Sequence, residues 1–312
     1  MKFKKLTKII AAITTAGVFL AGCTSSTNTA TQQTEAEASE GGTIKIASKP
    51  MTEQFILSEM LGILIEQDTN LDVEITKGIG GGTTNIHPAL LNGEFDLYPE
   101  YTATSWFTVL KKTETPESED ALYDELVKEY EALGLTWTGL YGFNNTYTLA
   151  MNRQKAEQLQ INTISELANV SNQVIFGGNY DYIEREDGYP ALCQAYGLNF
   201  KQTKDMDIGL KYTALEEQEI DVTNAFTTDA QLSSENIKVL EDDKHFFTNY
   251  YCGTVVRMDT LEKYPQLKTV LEKMNGILTD TEMAKMNYAV EVEEQDEYLV
   301  AENFLKEKGL ID

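Results

Sequence analysis

What most constrains this chain is an order: from Thr43 onward, short β-rich runs alternate with longer stretches of helical period. Residues 44–47 read as a buried strand, and residues 53–67 carry Phe55, Ile56, Met60, Leu61, Leu64 and Ile65 at helical spacing. Residues 72–76 alternate as a strand. Gly80-Gly81-Gly82-Thr83-Thr84 then opens a helix running through Leu90 and Leu91 to Asn92-Gly93, where a left-handed C-cap is expected. Residues 95–98 make the next strand, and Ser118 is an N-cap candidate for a helix with Leu122, Leu126, Tyr130 and Leu133 on one face, closed by Gly134. A second series starts near Tyr147, with strands at 147–151, 174–176, 222–226, 237–240 and 253–258. Its helices fall at 164–168, 190–196 and 208–218, and three acidic amphipathic helices close the chain at Leu310. This alternation predicts an α/β fold of mostly parallel sheets flanked by helices. A body of roughly 270 residues exceeds what one core usually holds. Two lobes with a ligand cleft between them are therefore expected.

Charge and composition remove several classes of function. The chain has 312 residues, 42% hydrophobic and 24% charged, which excludes disorder throughout. With 50 acidic residues against 25 basic ones the net charge is -25, a surface that repels phosphates, so no nucleic-acid partner is expected. There are two His, His87 and His245, and neither has a nucleophile or metal-ligand partner at recognisable spacing. No catalytic residues, metal or cofactor are expected, and the chain does not read as an enzyme. The Gly80–Thr84 stretch lacks the Lys of a P-loop and the glycine spacing of a dinucleotide fingerprint. It reads instead as a tight turn that lets backbone approach the cleft.

The N-terminal segment carries Lys2, Lys4, Lys5 and Lys8, an apolar run over residues 9–20, then Leu20-Ala21-Gly22-Cys23. That run falls short of the about 20 apolar residues a membrane-spanning helix needs. Residues 1–22 are expected to be a lipoprotein signal peptide, with Cys23 the lipidated residue after its removal. Residues 23–42 have almost no large apolar side chain and are expected to form a flexible tether. The implied location is extracytoplasmic, lipid-anchored to the cell membrane. Cys193 and Cys252 are left as disulfide partners or as two separate buried thiols.

Tyrosine is over-used, with 16 Tyr against 12 Phe and 2 Trp. Several stand where strands end: Tyr98 and Tyr101, Tyr141 and Tyr147, Tyr250 and Tyr251. Grouped, such rings wall a pocket with π faces. A quaternary ammonium has no N–H to donate, so ring faces select it at about 0.5–2 kcal/mol each.

The runs Ile44-Lys45-Ile46-Ala47-Ser48-Lys49-Pro50-Met51-Thr52-Glu53-Gln54, Leu90-Leu91-Asn92-Gly93-Glu94-Phe95-Asp96-Leu97-Tyr98-Pro99-Glu100-Tyr101-Thr102 and Glu184-Arg185-Glu186-Asp187-Gly188 resemble the substrate-binding proteins of glycine betaine/carnitine/choline ABC transporters. The resemblance covers roughly residues 43–308. It implies a two-lobed periplasmic-binding-protein fold of type II-like architecture: residues 43–145 in lobe one, 146–248 in lobe two, and 249–312 returning to lobe one. It also implies a membrane permease and its ATPase subunit as partners. The family's aromatic cage for a trimethylammonium group falls on Tyr101, Tyr147, Phe226 and Tyr250. Phe226 stands where relatives have Tyr, and Thr248-Asn249 where they often have two prolines, so Tyr250 and Tyr251 both remain candidates. The positions that hold the ligand's other end fall on Lys49, Thr104 and Arg185. Two cations aimed into the cleft of so acidic a protein suit a carboxylate. The expected ligands are therefore glycine betaine or carnitine ahead of choline, with ergothioneine, or an anion or amino acid bound without a cage, as alternatives.

Overall fold

The computed structural model describes residues 41–184, 188–207 and 210–312, all within one compact unit. The signal segment, Cys23 and most of the tether lie outside the described residues, as does Arg185. Among the described residues there are ten strands: β1 (Gly42–Ala47), β2 (Leu71–Thr76), β3 (Leu97–Tyr101), β4 (Leu135–Asn144), β5 (Tyr147–Asn152), β6 (Ile175–Gly178), β7 (Gln202–Asp205), β8 (Val222–Phe226), β9 (Ile237–Val239) and β10 (Tyr251–Arg257). They form two five-stranded sheets ordered β2-β1-β3-β10-β4 and β7-β6-β8-β5-β9, one in each of two α/β lobes.

Each sheet is evenly mixed rather than mostly parallel. In the first, β1 runs parallel to β2 and β3, while β10 is antiparallel to β3 and β4. In the second, β6 is parallel to β7 and β8, while β5 is antiparallel to β8 and β9. The cause is the passage between lobes. Only Asn145 and Thr146 separate β4 from β5, and β10 re-enters the first sheet from the second lobe. β4 leaves the first lobe and β10 returns to it across the same passage, so these two neighbours run in opposite directions.

The helix Thr52–Asp68 is the centre of the first lobe, with Ile56, Leu57, Met60, Leu61, Leu64 and Ile65 all without solvent exposure. Apolar residues extend round most of its circumference because β2 covers one side and the helices Gln266–Leu271, Asp280–Glu291 and Glu297–Glu307 cover another. The Ser118 hydroxyl caps the helix Glu119–Glu131, accepting from the Ala121 N–H at 3.2 Å. Past β10 there are four α-helices instead of three, since Pro265 divides the first stretch into Met258–Lys263 and Gln266–Leu271. Cys193 and Cys252 are free thiols, packed against the cores of different lobes.

Two strands have no counterpart in the sequence pattern. β7 is a polar edge strand, Gln-Thr-Lys-Asp, with no apolar alternation to betray it. β4 is long but interrupted by Gly139 and Gly142, whose φ angles are +115° and +110°. Its pairing with β10 shifts register around Gly253, and a Cβ there would lie 2.2 Å from the Gly139 carbonyl oxygen. Gly253→Ala is expected to lower stability by about 1–3 kcal/mol through backbone overpacking. A denaturant titration checks it, and an unchanged midpoint would show that β4 yields at the bulge.

Candidate functional site

Open α/β sheets present ligands to the carboxyl ends of their parallel strands. Here Lys49 follows β1, Tyr101 ends β3 and Phe226 ends β8, and all three line one cavity of about 550 Å³. Tyr250, just ahead of β10, and Thr104 line the same cavity. Tyr251 lines a different hollow of about 700 Å³, so Tyr250 is the member of the pair that faces the first cavity. Tyr147 also borders the second hollow. It reaches the first through Phe226, its cross-strand neighbour, on which its ring stacks at 4.5 Å between centroids.

Tyr101 is held at both ends. Its hydroxyl donates to Glu53 Oε1 and its backbone N–H to Glu100 Oε1 at 2.6 Å. Burial, then the nearby Glu53 charge, pushes the Tyr101 hydroxyl well above its usual pKa, so it remains a donor. Glu100 has no solvent exposure and also accepts from Thr83 Oγ1 and from the Lys49 ammonium. The same ammonium sits 4.6 Å from the centre of the Tyr101 ring. Lys49 is therefore not the uncompensated cation that the acidic composition suggests. A buried ammonium needs a buried counter-charge, and Glu100 supplies it.

Three carboxylates line the cavity: Glu53, Asp229 and Glu291. Glu53 is 4% exposed. Burial raises its pKa, against the lowering effect of hydrogen bonds from Tyr101, Thr228, Asn145 and Asn287. Asp229 closes the turn after β8, accepting from the Phe226 N–H at 2.9 Å and from the Tyr212 hydroxyl. The buried Lys211 ammonium stands 4.0 Å from it. Gly81, Thr83 and Thr84 bring the start of the helix Thr83–Leu91 to the cavity wall. Among the described residues no group of three or more His, Cys, Asp or Glu is placed to hold a metal.

Glu53, Glu100, Asn145, Asp229 and Asn287 were not singled out by the sequence. Asn287 had one usable signal: it shares the buried face of the helix Asp280–Glu291 with Met283, Ala284 and Met286, where a polar side chain needs a reason.

A family model described as the substrate binding domain of ABC-type glycine betaine transport systems matches residues 42–307. The ergothioneine transport permease/ergothioneine binding protein EgtU of Helicobacter pylori is 43% identical over 266 residues, 85% of this chain. The chain spans only 47% of that relative's length. The carnitine transport binding protein OpuCC of Listeria monocytogenes is 36% identical, with 86% of this chain and 87% of the relative covered. A solved structure titled as a glycine betaine/carnitine/choline ABC transporter aligns with a TM-score of 0.81 at 30% identity, covering 86% of this chain and 100% of the other.

The buried Glu53 has a measurable consequence. Its folded pKa lies above the ordinary 4.5, so between the two values the native state holds a proton that the unfolded chain has released. Its contribution to stability is full below the unfolded pKa and is lost as pH rises through the folded one. Relative to Glu53→Gln, which does not titrate there, the wild type is expected to lose stability as pH rises above 4.5, levelling off past the raised value. Denaturant midpoints of both proteins from about pH 4 to 8 check this; a pH-independent difference, or one of opposite slope, contradicts it.

Proposed function

The chain belongs to the family of substrate-binding domains of ABC-type glycine betaine transport systems, and on that premise we propose that it is the extracytoplasmic solute receptor of an ABC importer, binding a trimethylammonium betaine between its lobes. One observation carries the reading: Tyr101, Phe226 and Tyr250 and the carboxyl-bearing Glu53, Asp229 and Glu291 line a single cavity. π faces and negative charge together suit a cation that cannot donate hydrogen bonds. The same carboxylates count against an inorganic anion as the ligand. Glycine betaine, carnitine and ergothioneine, the ligands named for relatives, each combine a trimethylammonium group with a carboxylate.

In this reading Tyr147 backs the cage by stacking on Phe226. The ligand's carboxylate is taken by Thr104 and Lys49 on the cavity wall and by Arg185, the position that the sequence resemblance assigns to it, with the start of the helix Thr83–Leu91 contributing backbone N–H groups. Because Lys49 is shared with Glu100, the carboxylate joins an existing pair instead of neutralising a bare charge. Discrimination against choline then rests more on Arg185 and Thr104 than on Lys49. Contacts made to both lobes at once exist only in the closed form, so binding favours closure. A permease and its ATPase subunit would read the closed shape, with Cys23 holding the receptor at the membrane by its lipid. The role is one of binding without covalent chemistry.

Micromolar affinity corresponds to about 8 kcal/mol, within reach of several ring faces and charge-assisted bonds when the cage is preorganised. Calorimetry is expected to give micromolar or tighter binding for at least one betaine, with choline weaker. Phe226→Ala is expected to weaken that binding by about tenfold, the loss of one well-placed face plus its support of Tyr147. Sulfate or amino-acid binding with no response to any betaine overturns the reading.

A further inference from the structure

The cavity wall contains a buried acid without a counter-charge. Glu53 lines the cavity and is 4% exposed. Its hydrogen-bond donors come from both lobes: the Tyr101 hydroxyl at the end of β3, Asn145 Nδ2 at 3.0 Å from the passage between lobes, the Thr228 side chain from the second lobe, and Asn287 Nδ2 at 3.5 Å from the helix Asp280–Glu291. All four are neutral. Among the described residues no cation pairs with Glu53, since Lys49, on the same wall, is taken by Glu100. The remaining titratable neighbours bring no positive charge to it. Tyr101 and Cys252 are held neutral by burial, Asp229 and Glu291 are acids, and Lys211 stands beside Asp229.

A carboxylate withdrawn from water and opposed by no cation is stabilised by dipoles alone, which favours uptake of a proton. The site accommodates either form. The hydroxyls of Thr228 and Tyr101 donate to the carboxylate and can accept from the acid. The Tyr101 O–H then has the Met51 sulfur, 3.7 Å away, as its alternative acceptor. What enters the cavity tips the balance. A permanent cation on the ring of Tyr101, whose hydroxyl rests on Glu53, supplies the missing counter-charge, and an opposite charge nearby favours the ionised carboxyl. A quaternary nitrogen has no proton of its own to lose, so the adjustment falls on the protein.

Resting on the receptor reading above, we propose that Glu53 is the counter-ion of the ligand's quaternary nitrogen and gives up a proton for it: the carboxyl O–H of the free receptor breaks as the cation enters, the electron pair stays on the carboxylate, and the proton leaves to solvent. Binding and pH are thereby linked. The free receptor holds this proton over a range above the ordinary 4.5, and there each ligand bound releases up to one proton. Release on binding means that affinity rises with pH across this range. Past the raised value the free receptor has already lost the proton, and both effects end.

The test is calorimetry on the full chain with glycine betaine, carnitine and ergothioneine, following the tightest of them in buffers of different ionisation enthalpy from about pH 5 to 9. The carboxyl groups of all three are ionised throughout that range. Release approaching one proton per ligand is expected at the acid end and is expected to fall away at the alkaline end. While it lasts, Kd is expected to drop by up to about tenfold per pH unit. In Glu53→Gln the release is expected to vanish and the remaining affinity to be independent of pH. Asp280, a second carboxyl group whose pKa burial raises, accepts from the Asn144 N–H beside the passage between lobes, and Asp280→Asn is expected to leave the release intact. No release by the wild type, release that survives Glu53→Gln, or release abolished by Asp280→Asn overturns the inference while the receptor reading stands. Binding by none of the three ligands overturns both. Should Glu53→Gln not fold, the other two proteins decide: release that Asp280→Asn retains supports the proposal, and release that it abolishes overturns it.

Discussion

A carboxylate withdrawn from water persists in a fold only where donors surround it, and the cavity is built round two of them, Glu53 and Glu100. They flank the same residue. Glu53 takes the Tyr101 hydroxyl and Glu100 takes its backbone N–H, so ring and main chain are fixed independently. Lys49 and Thr83 converge on Glu100 from β1's end and from the start of the following helix. Asn145, from the passage between lobes, and Asn287, from the returning helix, converge on Glu53. Two carboxyl side chains of the first lobe thus gather the segments whose relative placement defines the site.

The second lobe repeats the device with less charge. Phe226 has no hydroxyl by which to be held, and its position depends on stacking with Tyr147 and on Asp229, which accepts from its N–H. Asp229 is itself fixed by the Tyr212 hydroxyl and the nearby Lys211 ammonium, whose own pKa burial lowers. A phenyl ring suffices at the site because the orienting hydrogen bond is made by the backbone N–H of Phe226 to Asp229.

Much of the architecture was legible because burial and period coincide. The helix Thr52–Asp68, its apolar residues spaced for a core, and the Ser118 cap follow from local sequence, as does the α/β class. β4 did not, since its two glycines at positive φ erase the alternation, nor did β7, whose residues face water. Alternation alone does not fix strand direction, which is set by β4 leaving the first lobe and β10 returning to it beside β4. At the site, the aromatic positions and Lys49 were visible as residues, but their partners were not. Glu100 stands 51 positions from Lys49 and Asn287 stands 234 from Glu53, separations at which no local pattern carries information.

The pairing of Lys49 with Glu100 also relocates the origin of selectivity. A net charge of -25 attracts any small cation to the molecule at long range. A zwitterion carries no net charge and gains nothing from that field, so an acidic surface alone favours choline over a betaine. Any preference for a carboxylate therefore has to be generated inside the cavity, at hydrogen-bond distance. Lys49, already neutralised by Glu100 and resting on the Tyr101 ring, contributes little net field there. What it contributes is geometry: by holding Glu100 it orients Tyr101 and Thr83 together, tying the aromatic end of the site to the helix start that can receive the opposite charge. Recognition of both ends of a betaine is then a property of one connected hydrogen-bonded frame, and a ligand lacking either end forfeits contacts that the frame has already oriented.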